Sequence, residues 1–220
     1  MLHLHGINAK IHVQMQQKNK GDHMNYVEKL KKLSHENGNI LTASLVRENN
    51  IPTIYLTRLT REGKLNRIDR GIYMSQDGIY DELFILQTRY PKIVFSYETA
   101  LYLLNLTDKI PADIHLTVNY NYKFNQRPEN TCIYYVNNEI LNLGVVEKET
   151  NAGNLVRLYS AERTLCDFIK NKPDMEPEVY IHFVKAYPSY QDRDIHQLFH
   201  IAQKMDIVKE VREIMELVYE

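Results

Sequence analysis

Apolar and polar positions along this chain recur with two different periods, and each change of period marks an element. Between Asn25 and Glu36, Tyr26, Val27, Leu30 and Leu33 fall at helical spacing, which predicts an amphipathic helix ended by Asn37-Gly38-Asn39. Ile40 leads into a second, shorter helix. Thr42 is its expected cap, its hydroxyl accepting from an otherwise orphaned amide, and Leu45, Val46 and Asn49 follow at helical spacing. Asn50 and Ile51 form a tight turn, and Pro52 suits the first position of a third helix. That helix runs from about Thr53 to Glu62 and stops at Gly63, a natural residue just past a helix end. Ile51, Leu56 and Leu59 are its expected inward anchors. After Gly63 the period falls to two. Leu65, Ile68 and the return Gly71-Ile72-Tyr73 are interleaved with Lys64, Asn66, Arg67 and Arg70, which reads as a basic hairpin with a turn or bulge at Asp69-Arg70-Gly71. Helix, turn, helix and hairpin together predict a winged helix-turn-helix over residues 24–77.

The remainder, 78–220, predicts a larger mixed α+β domain ending in helices, so the expected fold class is α+β. Ser75 to Gly78 is the polar connection. Helices are expected over Asp81–Tyr90, from Ser96 or Tyr97 through Leu104, over Ala161–Asn171, over Pro177–Tyr187, and within Asp192–Tyr219. Strands are expected at Lys92–Ser96, Ile114–Val118, Cys132–Val136, Gly144–Glu147 and Leu155–Leu158. A polar loop spans Asn119–Asn130. No internal repeat or low-complexity tract is present.

Charge sharpens the picture at the N-terminal end. Asn25 to Tyr73 holds nine Lys or Arg and five Asp or Glu, whereas the whole chain carries −1. A local surplus of about +4 on a helix-turn-helix is the electrostatic footprint of a nucleic-acid reader. The expected DNA-binding residues are Thr53, Tyr55, Thr57, Arg58, Arg61, Lys64, Asn66, Arg67 and Arg70. The threonines and Arg58 are placed to reach base edges, the other cations phosphates, and Tyr55 either to face DNA or to pack against the wing. Ser160 to Glu220 has the opposite balance, eight basic and twelve acidic residues. Asp192, Asp194, Glu210, Glu213 and Glu216 are either a plain solvated surface or a face for a basic partner.

Composition removes several classes. At 220 residues and 44 % hydrophobic, the chain can bury one or two cores. It has no run of roughly 18 apolar residues, so no membrane span is expected. Cys132 and Cys166 lack metal-ligand spacing and are expected to be buried, reduced thiols in a cytoplasmic protein. No metal or cofactor is expected, and no phosphate-binding loop, HExxH or GxSxG motif is present. Glu147-Lys148-Glu149 lacks the lysine that would complete a nuclease-like carboxylate set and is expected to be an exposed strand end. Ser160, Arg163 and Asp167 are expected to be a helix cap and an i,i+4 pair rather than an active site. Residues 1–23 are polar and aperiodic. Lys18-Asn19-Lys20-Gly21-Asp22 can be encoded by a purine-rich run resembling a bacterial ribosome-binding site just before Met24. Met24 is therefore the expected start and residues 1–23 a disordered or non-native leader. His3, His5, His12 and His23, irregularly spaced within it, form no expected metal site. Mass spectrometry of the native N-terminal peptide decides the start; a peptide beginning at Met1 excludes Met24.

Three segments carry a resemblance to a known family. They are Gly63-Lys64-Leu65 with Arg70-Gly71-Ile72-Tyr73; Phe95-Ser96-Tyr97-Glu98-Thr99-Ala100-Leu101 followed by Pro111-Ala112-Asp113-Ile114-His115-Leu116-Thr117; and Leu158-Tyr159-Ser160-Ala161-Glu162-Arg163-Thr164-Leu165-Cys166-Asp167. In their order and spacing, from Met24 onward, the chain resembles the AbiEi-type antitoxins of type IV, abortive-infection toxin–antitoxin systems. The resemblance implies a non-enzymatic repressor that binds operator DNA, expected as inverted repeats, at its own promoter. It also implies a role in phage defence, in which residues 78–220 counteract a cognate nucleotidyltransferase-like toxin. The N-terminal extension departs from that pattern. The alternative is a winged-helix regulator whose second domain senses a ligand or oligomerises; an enzyme acting on nucleic acid or nucleotide ranks third.

Overall fold

The computed structural model describes residues 25–172 and 176–219. The expected leader, its four histidines and the start at Met24 lie outside the described residues. The chain divides between Tyr80 and Asp81 into two compact units.

The first unit is the winged helix. Its helix α1 covers residues 25–36 and buries Leu30. Left-handed backbone at Gly38 and Asn39 ends it, and the Asn39 amide donates to the Ser34 carbonyl at 2.8 Å. Strand β1 (Ile40–Thr42) follows, then α2 (Ala43–Glu48), capped by Thr42 Oγ1 accepting from the Leu45 amide at 3.0 Å. Asn50 turns the chain with φ +56°, and Ile51 enters the core at 4 % exposure. Helix α3 is Ile54–Arg61. Thr53 already has helical dihedrals, and the Pro52 carbonyl accepts from Tyr55, so Pro52 stands one residue before the helical turn. Gly63 takes φ +70°, which lets the Lys64 amide return to the Leu59 carbonyl at 2.9 Å, the bonding of a left-handed helix stop. The wing is β2 (Leu65–Asp69) and β3 (Ile72–Ser75), antiparallel, with a register shift between Arg67 and Asp69. Leu30, Leu41, Val46, Ile51, Leu56, Leu59 and Leu65 form the core; burying each such side chain stabilises by about 1.5–3 kcal/mol.

One element of this unit was not expected. Ile40–Thr42 is a strand rather than a lead-in, pairing antiparallel with β3 (Ile40↔Met74, Thr42↔Ile72) and giving a three-stranded sheet of order β1-β3-β2. Three residues are too few to show a period, and their partner lies some thirty positions on.

The second unit is a mixed five-stranded sheet packed with helices. Its elements are α4 (Glu82–Arg89), β4 (Val94–Phe95), α5 (Tyr97–Leu103), β5 (Ile114–Asn119), β6 (Thr131–Val136), α6 (Asn138–Leu141), β7 (Val145–Glu149), β8 (Leu155–Tyr159), α7 (Ala161–Lys170), α8 (Pro177–Ala186), a 3-10 turn at Tyr187–Ser189, α9 (Ile195–Met205) and α10 (Val208–Tyr219). The order is β6-β5-β4-β8-β7. β4 runs antiparallel to β5 and parallel to β8; β5–β6 is parallel and β7–β8 antiparallel. Phe95, Leu116 and Leu158 from three adjacent strands meet Leu101 of α5, Leu165 and Phe168 of α7, Phe183 of α8 and Leu198 of α9 in one core. Helix α6, absent from the sequence reading, is a single turn capped by Asn137. The expected helical stretch to Tyr219 is broken at Asp206, whose φ of +58° lets the Ile207 amide return to Ala202. Cys166 is buried as expected, but Cys132 is only partly covered; both are free thiols. Cys132 sits on β6, at one end of the strand order.

Candidate nucleic-acid interface

Helix α3 separates its side chains by face. Leu56 and Leu59 are 1 % and 4 % exposed and point to the core. Ile54, Thr57, Arg58 and Arg61 are exposed at positions i, i+3, i+4 and i+7, so they form one outward stripe. Thr53 is half-buried at the helix start, and its side chain makes no capping bond. Tyr55 is half-buried too, with its ring 5.2 Å from that of Tyr26 on α1; it belongs to the rim of the core rather than to the outward stripe.

The wing supplies further cations. Lys64, Asn66, Arg67 and Arg70 are all exposed. Asn66 and Arg67 are consecutive on β2, so they project to opposite faces and are not presented together. Arg67 Nε donates to the Asp69 carbonyl at 3.3 Å, and Asp69 Oδ1 accepts from the Arg70 amide at 2.6 Å, which folds Arg67 back toward the turn. Gly71 takes φ +75° there, a conformation that side chains strain.

Helix and wing are joined by a carboxylate the sequence reading treated only as a helix boundary. Glu62 accepts from Lys64 Nζ at 2.9 Å and from Arg58 Nε at 3.1 Å. These two hydrogen bonds, Lys64 foremost, hold its carboxyl below the usual carboxylate range. The signal was in the sequence: Glu62 lies four residues after Arg58, a spacing that brings side chains together on a helix. Between residues 58 and 70 the cations Arg58, Arg61, Lys64, Arg67 and Arg70 stand against the acids Glu62 and Asp69, so the segment keeps a positive surplus. A cavity of about 620 Å³ borders Leu30, Ser34, Leu41, Leu59, Leu65 and Ser75. It lies on the inward side of α3 and is not part of the stripe.

In the second unit the structure assigns Ser160, Arg163 and Asp167 to packing. Ser160 Oγ accepts from the Arg163 amide at 3.3 Å. Arg163 is 0 % exposed and Asp167 4 %. Arg163 Nε donates to both Asp167 oxygens at 3.1 Å, its Nη1 donates to the Ile140 and Leu143 carbonyls, and its guanidinium lies 4.0 Å over the Tyr159 ring. Gly144 makes the room: a β-carbon there would stand 2.6 Å from Arg163 Cβ. Burial pushes the Asp167 carboxyl up to about 6 against the opposing pull of Arg163. Glu147, Lys148 and Glu149 are exposed on β7, an edge strand. Asp192, Asp194, Glu210, Glu213 and Glu216 are all exposed. Among the described residues no His, Cys, Asp or Glu cluster is placed to hold a metal, and no helix is long and apolar enough to cross a membrane.

Residues 28–76 match a family described as "Transcriptional regulator, AbiEi antitoxin". Comparison with curated proteins returns no match. Among solved structures, the chain is similar to the RV2827C protein of Mycobacterium tuberculosis, with a TM-score of 0.52 and 11 % identity, over 89 % of this chain and 81 % of that one. At that identity the likeness concerns the fold alone. The segment that builds the stripe and the wing is thus the segment that is similar to AbiEi antitoxin transcriptional regulators.

Proposed function

We propose that this protein is the antitoxin of a type IV, abortive-infection toxin–antitoxin system that represses its own promoter. In this reading α3 lies in the major groove of operator DNA arranged as inverted repeats. Thr57 and Arg58 face base edges there, with Thr53 at the helix entry. Arg61, Lys64, Arg67 and Arg70 anchor phosphates, and Asn66 contributes from the other face of β2. Tyr55 acts through packing that fixes the pitch of α3. The unit after Tyr80 counteracts a cognate nucleotidyltransferase-like toxin in the cytoplasm, and the protein needs no cofactor or catalytic activity of its own. The observation that carries the DNA-reading half is the exposed stripe Thr57-Arg58-Arg61 beside a cation-bearing wing, inside the segment related to transcriptional regulators. The antitoxin half rests on the likeness of residues 28–76 to that family and on the resemblance carried by the segments beginning at Phe95 and Leu158.

Two measurements on the full chain test the two halves. In a gel shift, the protein should retard its own promoter fragment with an affinity that falls steeply with salt. In a growth assay, it should rescue cells expressing the neighbouring nucleotidyltransferase-like gene product. Arg67→Ala with Arg70→Ala should weaken the shift and leave rescue from a foreign promoter intact. Failure of rescue by the wild-type chain would sink the antitoxin role whatever the gel shows.

A further inference from the structure

The outward stripe of α3 contains one residue that the charge argument leaves unused. Ile54 is 67 % exposed at the first position of the helix. A single exposed aliphatic side chain is ordinary on a protein surface, so exposure alone argues nothing. Placement does. Ile54 shares the stripe with Thr57, Arg58 and Arg61, while its neighbour Tyr55 packs on Tyr26 and Leu56 fills the core. An aliphatic side chain has nothing to gain from a phosphate or from the polar edges of G, C or A. The C5-methyl of thymine is the apolar group a major groove offers.

We propose that Ile54 is a specificity-determining residue that packs on a thymine methyl in the operator. The inference rests on the DNA-reading proposal above and deepens it. Ile54 and Arg58 are four residues apart on one face, about 6 Å along the helix axis, so the thymine lies in the same half-site as the base that Arg58 reads. The site is a mixed one, with an A·T pair read by shape and methyl contact beside a base read by hydrogen bonding. Ile54 is exposed, so its replacement leaves the core untouched.

The test removes the methyl without changing the base pair. A preferred duplex is selected from a random-sequence pool with the full-length protein, and each thymine in it is replaced singly by uracil. Wild type should lose about four-fold in affinity at one thymine per half-site, the loss expected for one methyl-sized apolar group. Ile54→Ala should bind the thymine duplex about as weakly as wild type binds the uracil one, and be insensitive to the replacement. Ile54→Val should keep the sensitivity. Tight, salt-dependent selection of a duplex with no thymine sensitivity, or with the same sensitivity in Ile54→Ala, overturns the role of Ile54 and leaves the DNA-reading proposal standing. Failure to bind any duplex, or binding that neither salt nor Arg67→Ala with Arg70→Ala weakens, overturns both.

Discussion

Arg58–Glu62 in the first unit and Arg163–Asp167 in the second are the same arrangement in sequence: an arginine, three residues, an acid, on one helix. The side chains of the first pair are 53 % and 34 % exposed, those of the second 0 % and 5 %. In water the first pair is worth little to stability, and its arginine stays available to a polyanion. Out of water, the second pair cannot be separated without stranding a charge. Identical spacing thus yields an exchangeable surface contact in one unit and an enclosed structural tie in the other, because the surroundings set the dielectric and the number of supporting bonds.

The strongest way to break this comparison is to remove one partner of the enclosed pair. Arg163→Met leaves Asp167 buried and should cost about 3–5 kcal/mol of stability at pH 7.5, read by urea denaturation. Adding Asp167→Leu should recover most of that loss, since paired apolar replacements relieve the desolvation of both charges. A single-mutant loss below about 1 kcal/mol would show that the pair is not enclosed.

Acid titration sharpens the same point. Asp167 titrates at about 6 in the fold, against 3.8 for an ordinary aspartate, so the folded state holds this proton more tightly than the unfolded one. Its contribution to stability is complete below pH 4 and is lost as the pH rises through about 6. Other carboxylates titrate over the same range, so the readout is the difference from Asp167→Asn, in which this component of the slope is absent.

On the exposed side, effects should appear in DNA binding and not in folding. Arg67→Ala with Arg70→Ala should flatten the salt dependence by about 1.8, from about 0.9 per phosphate contact. Affinity should fall on operator and random DNA alike. Arg58→Ala should cost about 1–3 kcal/mol of binding and relax preference at one base pair; equal weakening on every sequence would reassign Arg58 to the backbone.

The smallest effect is the most telling for Glu62. Glu62→Gln removes the carboxylate that engages Arg58 and Lys64, and should raise affinity for random DNA by a few-fold. Stability should stay within about 0.5 kcal/mol of wild type. A stability loss comparable to that of Arg163→Met would erase the distinction between the two pairs.

Much of the helix-turn-helix and wing was legible in the sequence because local bonds build them. The Thr42 cap reaches three residues ahead, and Gly63 stops α3 by bonds spanning three to five residues. The inward positions of Leu56 and Leu59 follow from a 3.6-residue period. Nothing local marks β1, whose partner β3 comes some thirty residues later, or the turn of α6, too short to show a period. Asp206 ends α9 in a left-handed conformation that glycine would have advertised and aspartate only permits.

By itself, then, the sequence determined where the helix-turn-helix and the wing lie, which face of α3 is apolar, and where positive charge accumulates, since each depends on residues within a few positions of one another. Tertiary structure alone decided that Arg163 is enclosed while Arg58 is free to exchange, that Tyr55 rests on Tyr26, and that Ile54 is left on the open stripe. Those outcomes depend on burial and on partners far along the chain, and spacing carries no record of either.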